Sequence, residues 1–192
     1  MIIQTCPICG ENIVAPRGDK NSKVLLIVSN PTEFDAKMGV VLSEHLHLLR
    51  REMLPLFDIL TKRIVPSYFH SKTKLEIENI KDDDEEVDKK EITNSNIDLV
   101  GQSCLTLSHT LLFDELNNKK IIIGIGSDAV SYLTDEKYSV DAVSGLELTE
   151  DWIYGKQFPK TRVFALVDYR SMYKAVGEFR KSLQMIISAL GE

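Results

Sequence analysis

Three short, almost uninterrupted apolar runs constrain the fold of this chain more than any other feature: KVLLIVS (Lys23 to Ser29), KIIIGIG (Lys120 to Gly126) and RVFALV (Arg162 to Val167). A strand with one face in water alternates apolar and polar residues, whereas a strand covered on both faces reads as a continuous hydrophobic run. All three runs are of the second kind. Arg63 to His70, RIVPSYFH, reads as a fourth strand in which Pro66 marks an edge position or a bulge. The segments between carry apolar residues at helical spacing. Met38 to Leu60 does so through Leu42, Leu46, Leu49, Met53 and Leu56, with Pro55 as its breaking point, and Ile97 to Leu116 through Cys104, Leu107, Leu111 and Leu112. A helix begins at Ser127 to Leu133 with Ser127 or Asp128 as its cap, and Ser171 to Leu190 closes the chain. Strands alternating with helices imply a three-layer α/β/α sandwich around a central, mostly parallel sheet. Sites in such sheets gather at the carboxyl ends of the strands, here the segments after Val28, His70, Ile125 and Val167.

A chain of 192 residues suits one domain spanning 1–192, with 1–22 as an N-terminal metal-binding or capping segment. No apolar run is long enough to span a bilayer, no signal peptide precedes the first strand, and three cysteines form no even disulfide framework. These features set the expectation of a cytoplasmic, reducing environment and no membrane partner. A net charge of −6 argues against coating nucleic acid through overall charge, and leaves room for a local basic face. Much of the negative charge sits in KDDDEEVDKKE, Lys81 to Glu91, within an acidic insertion over 81–96 that nothing apolar would order. It reads as a solvated, flexible loop or, alternatively, as a protein-interaction segment that imitates DNA.

The stretch CPICG places Cys6 and Cys9 two residues apart, a spacing that lets two thiolates grip one metal ion but leaves the site incomplete. GIGSDA, Gly124 to Ala129, lacks the third glycine of a dinucleotide fingerprint and the lysine of a P-loop, so it reads as a strand-to-helix turn. His45 and His47 stand two apart on a helical pattern and face different directions, which rules them out as a chelating pair. His109 reads as a helix-surface residue.

In motif order, Cys6 to Leu183 resembles the uracil-DNA glycosylase superfamily, in particular its iron–sulfur-cluster bacterial and archaeal branches. The pieces that carry the resemblance are Cys6 and Cys9, the strand KVLLIV with the loop SNPTEFDAK, Met38 to Leu42, Cys104, NKKIIIGIGSDAVSYL, Ser144-Gly145, and VFALVDYRSMYKA. The resemblance implies a structural metal, either zinc or a 4Fe-4S cluster, on Cys6, Cys9, His70 and Cys104, with the acidic insertion stretching the gap between the last two. The residues alone also allow Cys104 as an ordinary buried helix residue and His70 as a surface one.

The resemblance further implies a site for extruding a base from DNA. Asn30 falls where the family's water-positioning Glu stands, and Leu42 where its stacking Phe stands. Pro66 and Ser67 are nearest to its edge-reading Asn, and Ser67 is the candidate base-pocket residue beside Leu42. In the last loop Asp168-Tyr169-Arg170-Ser171 replaces His-Pro-Ser, with Tyr169 at the His position. An amide orients water without taking its proton, and a phenol can donate to an oxyanion. Each missing group costs about 3 kcal/mol of barrier lowering. Arg170, Ser171, Met172, Tyr173 and Lys174 are the candidate DNA contacts, with the start of an ordinary helix as their plainer reading. The expectation is a glycosylase-fold protein with lost or weakened catalysis that binds DNA or a replication or repair protein. An active, divergent DNA glycosylase is the alternative, and an interaction module using the acidic insertion a second alternative.

Overall fold

The computed structural model describes residues 4–7, 10, 12–53, 61–67, 69 and 95–191. Strands β1 (Gln4–Thr5) and β2 (Asn12–Ile13) form an antiparallel hairpin around the CPICG segment. Four further strands build the main sheet: β3 (Val24–Val28), β4 (Arg63–Pro66), β5 (Ile121–Ile125) and β6 (Arg162–Leu166). Their spatial order is β4-β3-β5-β6 and every pairing is parallel. The sheet is therefore wholly parallel where the sequence predicts only a mostly parallel one.

Both faces of this sheet are covered, which is why its strands carry no polar stripe. On one face, Leu25 and Ile27 pack with Ile122, Val163 and Ala165. There they meet Leu112 and Leu116 of the helix Ser95–Leu116 (α3) and Ala129, Val130 and Leu133 of the helix Ser127–Thr134 (α4). Val143 of the short helix Val140–Val143 (α5) joins them. Trp152 closes this core, its ring stacked on Phe158 at a centroid distance of 5.6 Å. Val24, Leu26 and Val28 point the other way with Ile123, Ile125, Phe164 and Leu166, against Leu49 and Met53 of helix α2 (Leu46–Met53). Phe179, Leu183 and Ile186 of the closing helix α6 (Met172–Leu190) complete this other core. Among the described residues no helix is long and apolar enough to cross a membrane.

Pro66 stands on an edge strand. The neighbouring Ile64 N–H and C=O both bond outward to Arg17, each at 2.8 Å, whereas the Ser67 N–H bonds inward to the Val28 carbonyl at 2.7 Å. By that alternation the N–H that Pro66 lacks would have faced away from β3, so the ladder stays whole. The Arg17 segment lies along this edge and covers it.

Of the helix predicted over Met38 to Leu60, the described residues form only α2, from Leu46, and a separate short helix ends where the predicted one would begin. Helix α1 (Glu33–Met38) is opened by a capping box, with the Asp35 N–H donating to Thr32 Oγ1 at 3.1 Å and the Thr32 N–H to Asp35 Oδ2 at 3.1 Å. It stops at Gly39, whose φ of 68° is left-handed. Leu42 is left-handed too, at φ 57°, so no helix can run through it, and α2 starts only at Leu46. The expected break at Pro55 lies outside the described residues.

Glu52 ties α2 to α6. It is 3 % exposed and accepts from Arg51 Nε at 2.6 Å and from Arg180 Nε at 2.7 Å. The hydrogen bond from Arg51 holds its carboxyl below the usual carboxylate range; burial pushes the other way, and Arg180 adds to the lowering. A depressed folded-state pKa contributes stability that is present above the unfolded value of about 4.3 and is lost as pH falls through the lower folded value. Urea unfolding of wild type and Glu52→Gln at pH 7 and below pH 4 should therefore show a stability gap that narrows with acid. A gap independent of pH would show that the carboxylate charge contributes nothing here.

Candidate functional site

The hydrogen-bond ladder continues one residue past the strands. The Ser67 N–H bonds to Val28 O, the Ser29 N–H to Ile125 O at 3.0 Å, and the Gly126 N–H to Leu166 O at 2.9 Å. This brings Ser67, Ser29, Gly126 and Val167 into one row at the carboxyl ends. The chain steps from β3 outward to β4 and later crosses back to β5 and β6, so the order reverses between β3 and β5. Beyond the strand ends at such a reversal is the usual place for a ligand in an open parallel sheet. Asn30 stands there, half-buried, directly after β3 and Ser29.

Asn30 and Ser67, 37 residues apart, meet at this rim: Ser67 Oγ donates to Asn30 Oδ1 at 3.0 Å. That bond fixes the carboxamide orientation and turns its NH₂ donors elsewhere. The Asn30 N–H points at Asp128 Oδ2 at 3.5 Å. Neither Ser127 nor Asp128 caps α4, contrary to the sequence expectation. The cap is Gly126 (φ 93°), without a side-chain hydrogen bond, because only glycine fits this close approach between Ser29 and Asp168.

Tyr169 and Leu42 share the core that α2 and α6 cover, at 1 % and 0 % exposed. Burial pushes the Tyr169 phenol well above its ordinary range; Arg170 pulls the other way, while Asp168, Asp35 and Glu44 reinforce the rise. The group stays neutral and can donate a hydrogen bond but cannot serve as a base. Arg170 is bound back onto Asp168, with Nη2 to Oδ2 at 2.6 Å and its own N–H to Oδ1 at 2.8 Å. Burial opposes the Arg170 charge, but the hydrogen bond and charge of Asp168 outweigh it and raise the guanidinium pKa further. The side chains of Ser171, Met172, Tyr173 and Lys174 lie outside the described residues. Their backbone ends a short 3-10 turn, Tyr169–Ser171, and begins α6.

Of the four metal-ligand candidates, Cys9 and His70 lie outside the described residues, as does the acidic segment from Lys81 to Glu91. Cys6 and Cys104, 98 positions apart, place their sulfurs 3.9 Å from each other, at 2 % and 1 % exposed. The Gly10 N–H bonds back to Cys6 O at 2.9 Å and closes the CPICG turn. Phe69 receives the Val14 N–H on its carbonyl at 2.8 Å and donates its own N–H to Ser108 Oγ at 3.3 Å, one helical turn from Cys104. Among the described residues no group of three or more Cys, His, Asp or Glu could hold a metal ion.

Several residues at this rim escape a motif reading. His45 packs its ring 5.3 Å from that of Tyr169, and its Nδ1 is buried with no hydrogen-bond partner, Glu44 Oε2 standing 3.8 Å away. It belongs to the turn before α2, so helical spacing gives no hint of this position. Asp35 is 1 % exposed and uses its carboxylate on the Thr32 and Ser43 N–H groups, the latter at 2.6 Å. It holds the loop rather than facing a ligand. The T-E-F-D spelling of a capping box is the signal that could have found it.

No protein-family model matches the chain, and no curated protein matches it significantly.

Proposed function

We propose that this chain is a uracil-DNA glycosylase-fold protein whose catalysis is lost or greatly weakened and which binds DNA through the loop and helix start that follow β6, as an accessory factor in replication or repair. One observation carries the reading. The two positions that match the family's chemistry hold a carboxamide whose carbonyl is engaged by Ser67 and a neutral phenol that is 1 % exposed. Neither can remove a proton from water. The parallel sheet with Asn30 at its order reversal, and the motif order from Cys6 to Leu183, support the fold half of the proposal. On this reading a structural metal held by Cys6, Cys9, His70 and Cys104 pins the N-terminal hairpin to α3.

A single-turnover assay on uracil-containing single- and double-stranded oligonucleotides should release no free uracil. DNA affinity should fall with salt, and Arg170→Ala together with Lys174→Ala should flatten that dependence by about one slope unit for each phosphate no longer neutralised. An absence of DNA affinity at low salt would end the DNA-binding reading.

A second reading, an active but divergent glycosylase, is favoured by His45 against Tyr169 and by Asp128 beside Asn30. It supplies an imidazole and a carboxylate at the rim by another route. Uracil release that Asp128→Asn or His45→Ala abolishes would establish it over the first.

A further inference from the structure

We infer that the face joining α2 to α6 is a docking surface for the phosphate backbone of a nucleic acid, built on Arg51 and Arg180, which the buried Glu52 carboxylate holds together. The inference rests on the proposed DNA-binding reading and extends the contact from the start of α6 to its middle and across to α2. Glu52 is 3 % exposed, yet the two arginines bound to it are open to solvent, the Arg51 side chain at 66 % and the Arg180 side chain at 58 %. One carboxylate thus gathers guanidinium groups from two helices at the surface. Arg51 Nε donates to Glu52 Oε1 at 2.6 Å, and Arg180 donates to Oε2 from both Nε and Nη2, each at 2.7 Å.

A guanidinium carries five N–H donors in a planar fork. Glu52 engages only Nε of Arg51 and only Nε and Nη2 of Arg180, and among the described residues no other hydrogen bond or ion pair involves either group. The remaining donors are held in place at the surface, an arrangement suited to phosphate oxygens, which arginine forks bind in pairs. Two cations against one carboxylate leave the cluster positive, and the neighbouring Arg50 adds an exposed cation. Nucleic acid is the occupant because the cluster continues the proposed DNA contacts along α6. Lys174 stands near the start of that helix, and Arg180 follows about 9 Å further along its axis at about 1.5 Å per residue. That span matches about three steps of one duplex strand, whose phosphates are about 3.4 Å apart along the axis. Lys181 is exposed beside Arg180, whereas Glu178, two residues away on the helix, does not face it.

The test is the affinity of the full-length protein for a labelled DNA duplex between about 50 and 200 mM salt. Arg51→Gln and Arg180→Gln should each weaken binding alike on unrelated sequences and lower the slope of log affinity against log salt by about 0.9. Arg180→Lys keeps the charge and loses the fork, so affinity should fall while the slope stays. Taking an arginine from buried Glu52 also loosens the helix pair, so melting temperatures are measured alongside. Arg50→Gln leaves the Glu52 contacts intact and should lower the slope as well. Lys156→Gln, the same charge change on the loop between Trp152 and Phe158 at the opposite face of the sheet, should leave the slope unaltered. A slope insensitive to Arg50, Arg51 and Arg180 but lowered by Arg170→Ala with Lys174→Ala would overturn this surface and leave the DNA-binding reading standing. The reverse pattern would establish the surface and move the contact away from the loop after β6. A lower melting temperature with an unchanged slope in the Arg51 and Arg180 variants would reduce the cluster to a structural clamp. No affinity for DNA at low salt would overturn both proposals.

Discussion

Replacing Gly126 by alanine should destabilise the protein by about 3 kcal/mol or more, with a fall in melting temperature of about 10 °C. Two separate penalties add. A side chain at φ 93° is strained in any surroundings, and the new Cβ would overlap Ser29 Oγ and stand 3.0 Å from Asp168 Oδ2. The second penalty can be isolated. Ser29→Ala removes the overlapping hydroxyl and leaves the Ser29 Cβ 3.2 Å from the new methyl, a tight but tolerable approach. The double variant should therefore be destabilised by less than the two single variants summed, whereas the backbone strain stays. Chemical denaturation of the four proteins measures this coupling. Strict additivity would mean that Ser29 and residue 126 do not touch, and the row of strand ends would have to be redrawn.

Phe164→Ala should cost about 3–5 kcal/mol, enough to threaten folding at ordinary temperature. The ring is 0 % exposed on β6 and packs in the core shared with Leu26, Ile123, Phe179 and Leu183. Truncation removes apolar burial and leaves a cavity between sheet and α6 that the strands, hydrogen-bonded in register, cannot easily collapse around. Phe34→Ala serves as the control. Phe34 is 45 % exposed on α1, and its truncation should change stability by less than about 0.5 kcal/mol. Similar effects from the two substitutions would contradict the assignment of Phe164 to the buried face.

How legible each part is follows from how local its cause is. KVLLIVS, KIIIGIG and RVFALV announce buried strands because nothing but two covered faces tolerates such runs, and the strands stop within one residue of those limits. The helix that apolar spacing predicts from Met38 starts only at Leu46, because such spacing is blind to backbone sign: Gly39 and Leu42 both turn left-handed and interrupt it. The capping box at Thr32 and Asp35, by contrast, is spelled out locally and sets the true helix start. Both Asn30 and Ser67 follow strand runs legible in the sequence, whereas their side-chain contact is set by the pairing of β3 with β4. His45 against Tyr169 has no such clue, since its position depends on how the turn before α2 packs on the loop after β6.

Taken alone, the sequence determined the α/β class, the burial of three strands on both faces and the restriction of Pro66 to an edge or a bulge, because hydrophobic pattern and proline chemistry act within a few residues. Only the tertiary structure decided the order β4-β3-β5-β6, the edge place of Pro66 within it, and the 3.9 Å meeting of Cys6 with Cys104 across 98 positions. Those depend on which surfaces bury each other best once the whole chain is collapsed, and no local run of residues encodes that choice.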